Sequence, residues 1–279
     1  MKQQTMPVGP IPSVVVEAVH GDLRLAGWDR SEILAKTDGE KLTLTAEGDQ
    51  VLIACDESLI LYLPRQAKVS LDRVAADATL QALQGPLVMG TVEGDLAVTD
   101  LDRVSLEGVS GDASFRNVGA LDVQKIAGDL SLRGSRGSCS ISVVKGDASL
   151  HEISGPVTMN TIHSDLTLSK VRGEVEVSES VGGDASVRDV EGGVHLKHVG
   201  SDLYLRMCAG RWRRVPGQMR PCICSRCRAW STASMPAETC SCACRLRRMH
   251  NSTSPAVRPR RFRWIFLGRP ARKGKACRK

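Results

Sequence analysis

Gly94-Asp95-Leu96-Ala97-Val98-Thr99-Asp100-Leu101 is answered seventeen residues later by Gly111-Asp112-Ala113-Ser114-Phe115-Arg116-Asn117-Val118. Each stretch reads Gly-Asp, apolar-polar-apolar, two polar residues, then another apolar one. The Asp recurs as Asp77, Asp95, Asp112, Asp129, Asp147, Asp165, Asp184 and Asp202, in steps of 17 to 19 residues. A fixed period of this length marks a repeat architecture. The alternation after each Asp is that of a half-buried strand.

Midway between successive Asp residues lies a second strand of the same kind, seen at Leu87/Met89, Val104/Leu106, Leu121/Val123, Cys139/Ile141, Val157/Met159, Val175/Val177 and Val194/Leu196. Two strands in about 18 residues, both advancing at the same step, point to an all-β fold, a parallel β-solenoid of stacked coils. Leu96, Leu130, Leu166 and Leu203 should then share an interior column with Ala113, Ala148 and Ala185 between them. Cys139 falls at an inward position and reads as a small buried apolar residue.

Gly94, Gly111, Gly128, Gly146 and Gly183 precede the Asp, and Gly85, Gly119, Gly137, Gly155 and Gly173 precede the second strand. They are expected to supply the positive φ of sharp corners, with each Asp carboxylate capping nearby backbone amides. The Asp persists where Ala76, Ser164 or Ser201 replaces the Gly, so the eight Asp residues read as structural turn anchors and not as ligands. Calcium is not expected: one Gly-Asp per coil offers too few oxygens for the six to eight it takes.

The expected organisation is a flexible N-terminus at 1–12, an N-terminal β cap at 13–75, the solenoid at 76–208 and a tail at 209–279. Solenoid ends need a cap because an open coil exposes a sheet edge. Trp28 is expected to be a packing anchor of that cap. With 3% aromatic residues, aliphatic stacks must carry the burial. No stretch reaches the roughly 18–20 apolar residues of a membrane span, and residues 1–12 lack a basic start followed by an apolar run. A cytoplasmic location is expected, with surface display left open.

The tail differs in composition. Residues 210–279 hold 19 Lys plus Arg and one acid, Glu238, a net +18, whereas residues 1–209 hold 19 bases and 30 acids, a net −11, together the +7 of the chain. Seven of the ten Cys also lie in the tail. Cys222, Cys224, Cys227, Cys240, Cys242 and Cys244 could form a zinc site, and the bases from Arg258 to Arg263 could bind nucleic acid. Codons permitted for Trp230 to Arg245, read one base out of phase, restore Gly-Asp followed by apolar-polar-apolar. The tail is therefore read as a disordered frameshift product beginning near Arg206.

The Gly-Asp repeats, Gly27-Trp28-Asp29 and Leu61-Tyr62-Leu63-Pro64 together resemble the bacterial putative adhesin family, a β-strand repeat domain of unknown function. The resemblance covers about residues 13–206. It implies a β-solenoid-like domain and no catalytic residue.

His151, His163, His195 and His198 fall at outward or turn positions, without a Ser-His-Asp, HExxH or P-loop arrangement. No enzyme activity, cofactor, metal site or small-molecule substrate is expected. The reading is a noncatalytic structural or adhesin-like module presenting a polar surface. A self-assembling scaffold similar to bactofilin-type β-helices is the alternative, and nucleic-acid or zinc binding through the tail is a third. Four residues after the anchors, Arg116, Arg133, Arg188 and Arg206 form a candidate anion-binding face, suited to an acidic polysaccharide or a membrane surface.

Overall fold

Strand pairing along the repeat follows the period of the sequence. The computed structural model describes residues 2–208 and 243–246. No helix occurs among them, so none is long and apolar enough to cross a membrane.

The N-terminal strands are β1 (Lys2–Pro7), β2 (Ser13–Val19), β3 (Leu23–Trp28), β4 (Glu32–Thr37), β5 (Leu42–Glu47), β6 (Gln50–Cys55), β7 (Leu59–Pro64) and β8 (Lys68–Val74). Two long strands follow, β9 (Ala78–Val92) and β10 (Leu96–Val109), each running through both halves of a coil. Beyond them the coils break into β11 (Ala113–Val118), β12 (Ala120–Ile126), β13 (Leu130–Ser135), β14 (Cys139–Val144), β15 (Ala148–Ile153), β16 (Val157–Ile162), β17 (Leu166–Val171), β18 (Val175–Val181), β19 (Ala185–Val190), β20 (Val194–Leu196) and β21 (Leu203–Cys208). A last short strand is β22 (Ala243–Leu246).

Two parallel ladders result. Ladder A runs β7, β3, β9, β10, β11, β13, β15, β17, β19, β21. Ladder B runs β6, β2, β8, β9, β10, β12, β14, β16, β18, β20. The chain is a parallel β-solenoid. Its 19-residue step from Asp165 to Asp184 is absorbed by an irregularity opposite Met159 and Thr161, where β18 carries one extra residue.

The inner faces of both ladders share one aliphatic core. Leu96, Ala113, Leu130, Ala148, Leu166, Ala185 and Leu203 stack in register, so the expected alternation of large and small is present. Beside them run Val98, Phe115, Leu132, Leu150, Leu168 and Val187, all buried. Ser135 takes the place of an apolar residue in one coil; its hydroxyl bonds Gly119 O at 3.1 Å and Gly137 O at 3.3 Å, so the buried polar group is satisfied.

The segment expected as a cap takes part in the coils. The first coil in the sequence, β2–β3, lies between the β6–β7 coil and β8, so stacking order departs from chain order. Antiparallel strands close this end: β4 on β7, β1 on β4, and β5 on β6. Gln4 joins the two closing edges, donating to Leu42 O at 3.0 Å and accepting from Leu44 N at 3.1 Å. Trp28 stacks on Tyr62 with centroids 5.4 Å apart and donates its indole N–H to Glu32 O at 2.8 Å. At the other end β22 pairs antiparallel with β21. The Cys clusters, the Arg258 to Arg263 run and the expected disorder of the tail otherwise lie outside the described residues.

Candidate interaction surfaces

Each coil carries three outward features: an Asp corner, a left-handed corner and the flat outer faces of the ladders. At the Asp corner, the backbone N–H of one anchor donates to Oδ1 of the anchor in the preceding coil. Asp95 to Asp77, Asp112 to Asp95, Asp129 to Asp112, Asp147 to Asp129 and Asp202 to Asp184 are all 2.8 Å; Asp165 to Asp147 is 3.0 Å and Asp184 to Asp165 is 2.7 Å. The amide served belongs to the neighbouring coil, where the sequence reading placed it locally. The series continues into the N-terminal coils, with Asp77 N on Asp22 Oδ1 at 3.4 Å and Asp22 N on Ser58 Oγ at 3.2 Å. Asp22 was legible from its Gly21-Asp22 pair, whereas Ser58 had no signal.

The glycines before the anchors have a different cause from the one expected. Positive φ among glycines is confined, in the described residues, to Gly48 and Gly134. What the corner requires is closeness: a Cβ at Gly111 would lie 2.2 Å from Asp95 Oδ1, and one at Gly146 would lie 2.1 Å from Asp129 Oδ1. Gly carries no Cβ and leaves room for the carboxylate. The glycines before the second strand behave alike, since a Cβ at Gly155 would lie 2.0 Å from Gly137 O.

Left-handed backbone falls five residues after each anchor from Asp77 to Asp184, at Ala82, Asp100, Asn117, Gly134, Glu152, Lys170 and Asp189, with φ between 52° and 74°. This corner lets the third and sixth residues after the anchor both face inward, as Leu132 and Ser135 do, which a regular two-residue period forbids. A non-Gly residue there is strained by about 1–2 kcal/mol. Contacts between coils offset part of it: Asn117 donates to Asp100 Oδ1 at 3.0 Å, and Lys170 Nζ lies 3.0 Å from Glu152 Oε1. That Lys170 hydrogen bond holds the Glu152 carboxyl below its ordinary range.

The basic column is continuous by register. Arg116, Arg133, His151, Ser169, Arg188 and Arg206 occupy successive coils of ladder A. Arg133 reaches Glu152 at 3.8 Å, and His151 Nδ1 is 2.5 Å from Ser169 Oγ. Arg116 and Arg188 are exposed and make no ion pair among the described residues. On the same ladder, the Asp77 to Asp147 part of the corner and the outward hydroxyls of Thr79, Ser114, Ser131 and Ser149 line a shallow groove of about 550 Å³. Among the described residues no three His, Cys, Asp or Glu side chains converge as a metal site would require.

Cys55 and Cys139 face inward. Cys139 Sγ bonds Ser135 Oγ at 3.1 Å; burial pushes its pKa up, and the Ser135 bond pulls it partly back. Burial and the Asp56 charge push Cys55 up to about 11. A thiol whose folded pKa is raised stabilises the fold below its unfolded pKa of 9.0. That contribution is lost as pH rises from about 9 through about 11. Both thiols are therefore expected to resist alkylation in the native protein at pH 8 and to react on unfolding, as mass spectrometry would read. Prompt modification of Cys55 or Cys139 without unfolding would contradict this burial.

No family model and no curated protein matches the chain. Among the solved structures similar to it are these two. One is a putative adhesin from Parabacteroides distasonis, 12% identical with a TM-score of 0.26, over 71% of this chain and 95% of that one. The other is a putative cell adhesion protein from Clostridium sporogenes, 10% identical with a TM-score of 0.23, over 71% of this chain and 99% of that one. The likeness at this level assigns no function.

Proposed function

We propose that the chain is a noncatalytic structural or adhesin-like module that works by presenting its outer columns to a partner. The observation that carries the reading is the Asp corner. The most regularly repeated acid in the chain accepts the backbone amide of the next coil, as in the 2.8 Å contact from Asp112 N to Asp95 Oδ1, which is a building role. The side chains that ladder A turns to solvent at its paired positions are mostly short hydroxyls and long bases set at strand spacing, about 4.8 Å per coil. Such an array suits a repetitive partner better than a small substrate.

The basic column is the part of that surface we assign to an anionic polymer. Binding of an acidic polysaccharide to the full chain should be sensitive to salt and should fall several-fold when Arg116 and Arg133 are both replaced by Ser. The basic tail is common to both proteins, so the difference belongs to the column. Equal binding would remove the column from the proposal. Turnover of any substrate that follows substitutions in the outer columns would overturn the noncatalytic reading.

A further inference from the structure

Strand β1 is held to the closed end of the solenoid by contacts that are easily remade. It pairs with β4 from Lys2↔Thr37 to Pro7↔Glu32, antiparallel and without a break in register. Its side chains add little burial: Lys2, Gln3, Gln4, Thr5 and Pro7 are exposed, and Met6 and the following Val8 pack against the core only in part. The remaining ties are hydrogen bonds, between the Gln4 amide and β5 at Leu42 O and Leu44 N, from Lys2 Nζ to Glu40 O, and from Val8 N to Ser31 O at 3.0 Å. A strand held at a sheet edge mainly by its backbone, with so little buried surface, stands at the low end of local stability.

The link from this strand to the first coil is Gly9-Pro10-Ile11, all exposed. Pro12 already belongs to the coil, buried and accepting a hydrogen bond from Lys68 N at 2.9 Å. A Cβ at Gly9 would meet nothing within 4 Å, so the link stands clear of the body there. The chain bends at Pro10 and Ile11. Yet Gly9 and Ile11 each precede a proline, which biases a residue toward extended backbone, and Ile11, with its Cβ, carries that bias more strongly than Gly9. Ile11 is also 56% exposed. A single exposed apolar residue is ordinary on a protein surface, but this one stands on the link itself.

We propose that two copies of the chain exchange this strand: β1 of each pairs with β4 of the other, and the link straightens from one body to the next. Every bond from β1 to β4 and β5 is kept, because the exchanged strand has the same sequence and meets its partner in the same register. The two states differ at the link alone. There the exchanged form removes a bend that opposes the bias of Ile11, and it sets the two links, with their Ile11 side chains, beside each other about a twofold axis. The exchange is reciprocal, so it closes as a dimer and leaves no edge of β4 open. It competes with closure within one chain, where a short link gives β1 an effective concentration of about 1 mM at its own β4. Exchange is therefore expected when the chain folds at high protein concentration. It does not use the outer columns, and its failure would leave the polymer reading untouched.

The test uses the full chain, unfolded in urea with a reductant and refolded at about 5 μM and at about 500 μM, far below and near that effective concentration. Size exclusion with light scattering at one low final concentration should find monomer after the first refolding and a slowly dissociating dimer after the second. Thr5→Cys with Leu34→Cys sets thiols at paired positions of β1 and β4. An equal mixture of normal and isotope-labelled chains of this variant is refolded at the higher concentration, and the dimer is isolated before oxidation, so disulfides of other cysteines play no part in forming it. Mass spectrometry of the digested dimer should find the bond between the two new thiols joining heavy to light peptides. Inserting Gly-Gly-Ser-Gly after Gly9 lengthens the link, relaxes the bend and should reduce the dimer several-fold. Ile11→Ser should reduce it as well, by removing the contact between links, and circular dichroism checks that each variant is folded. Monomer after both refoldings, a dimer whose new bonds lie only within single chains, or a lengthened link that leaves the dimer undiminished overturns the proposal.

Discussion

Replacing Leu150 by Ala is expected to cost about 2–5 kcal/mol of stability, as deletion of buried Leu side chains does. Leu150 is fully buried and stacks between Leu132 and Leu168. Removing it takes packing from the coil before and the coil after. In a solenoid each coil is held by its neighbours alone, so the defect weakens two interfaces together. Ser149, the next residue, faces outward, and Ser149→Asn should change stability by no more than about 0.5 kcal/mol. Urea unfolding of the two variants checks the difference. Equal losses would mean that the faces are exchanged, as a one-residue slip would make them.

Among the glycines that directly precede an Asp anchor, Gly128→Ala should be the most damaging change, at about 1–3 kcal/mol. The new Cβ would meet Asp112 Oδ1 at 2.2 Å, Gly111 O at 2.5 Å and Gly111 C at 2.7 Å, and two of these atoms are backbone. Gly108→Ala is the control, because its nearest neighbour would be Lys125 O at 3.9 Å and its φ is not positive. That change should be neutral or slightly stabilising, since Ala reduces the freedom of the unfolded chain. Adding Asp112→Ala to Gly128→Ala should recover part of the loss, the clash with Gly111 remaining. Thermal melts of the three proteins would expose the steric account as wrong if Gly108→Ala and Gly128→Ala behaved alike.

The coil, its two strands and the inward residues were legible because burial imposes a period of two within strands and the stack imposes 17 to 19 between them. Even Cys139 and the Leu96, Ala113, Leu130 alternation follow from those two periods. The left-handed corner was not legible. Asp100 and Asn117 suit that conformation, but Ala82, Glu152 and Lys170 do not announce it, and the constraint is geometric: two inward residues three apart need a kink between them. The glycines were noticed and assigned the wrong cause, since a sequence marks where a Cβ is missing without saying whether φ or a neighbouring coil excludes it. Ser58 escaped because a hydroxyl does there what Asp does elsewhere. Among the basic residues, the column itself was visible from the period. Pairing of Arg133 with Glu152 required knowing which coil lies beside which.

The displaced first coil sets the order in which the chain can be assembled. Val14 pairs with Val51 and Val69, 37 and 55 positions downstream, whereas Ala113 pairs with Leu130 only 17 away. Closing the longer loops costs more chain entropy, so contacts within the repeats form sooner. During synthesis β2 and β3 emerge first yet must wait for both neighbours, while every coil from Asp95 onward can settle on one already made. A nascent chain therefore exposes the edges of β2 and β3 until residue 74 and the start of β9 have left the ribosome.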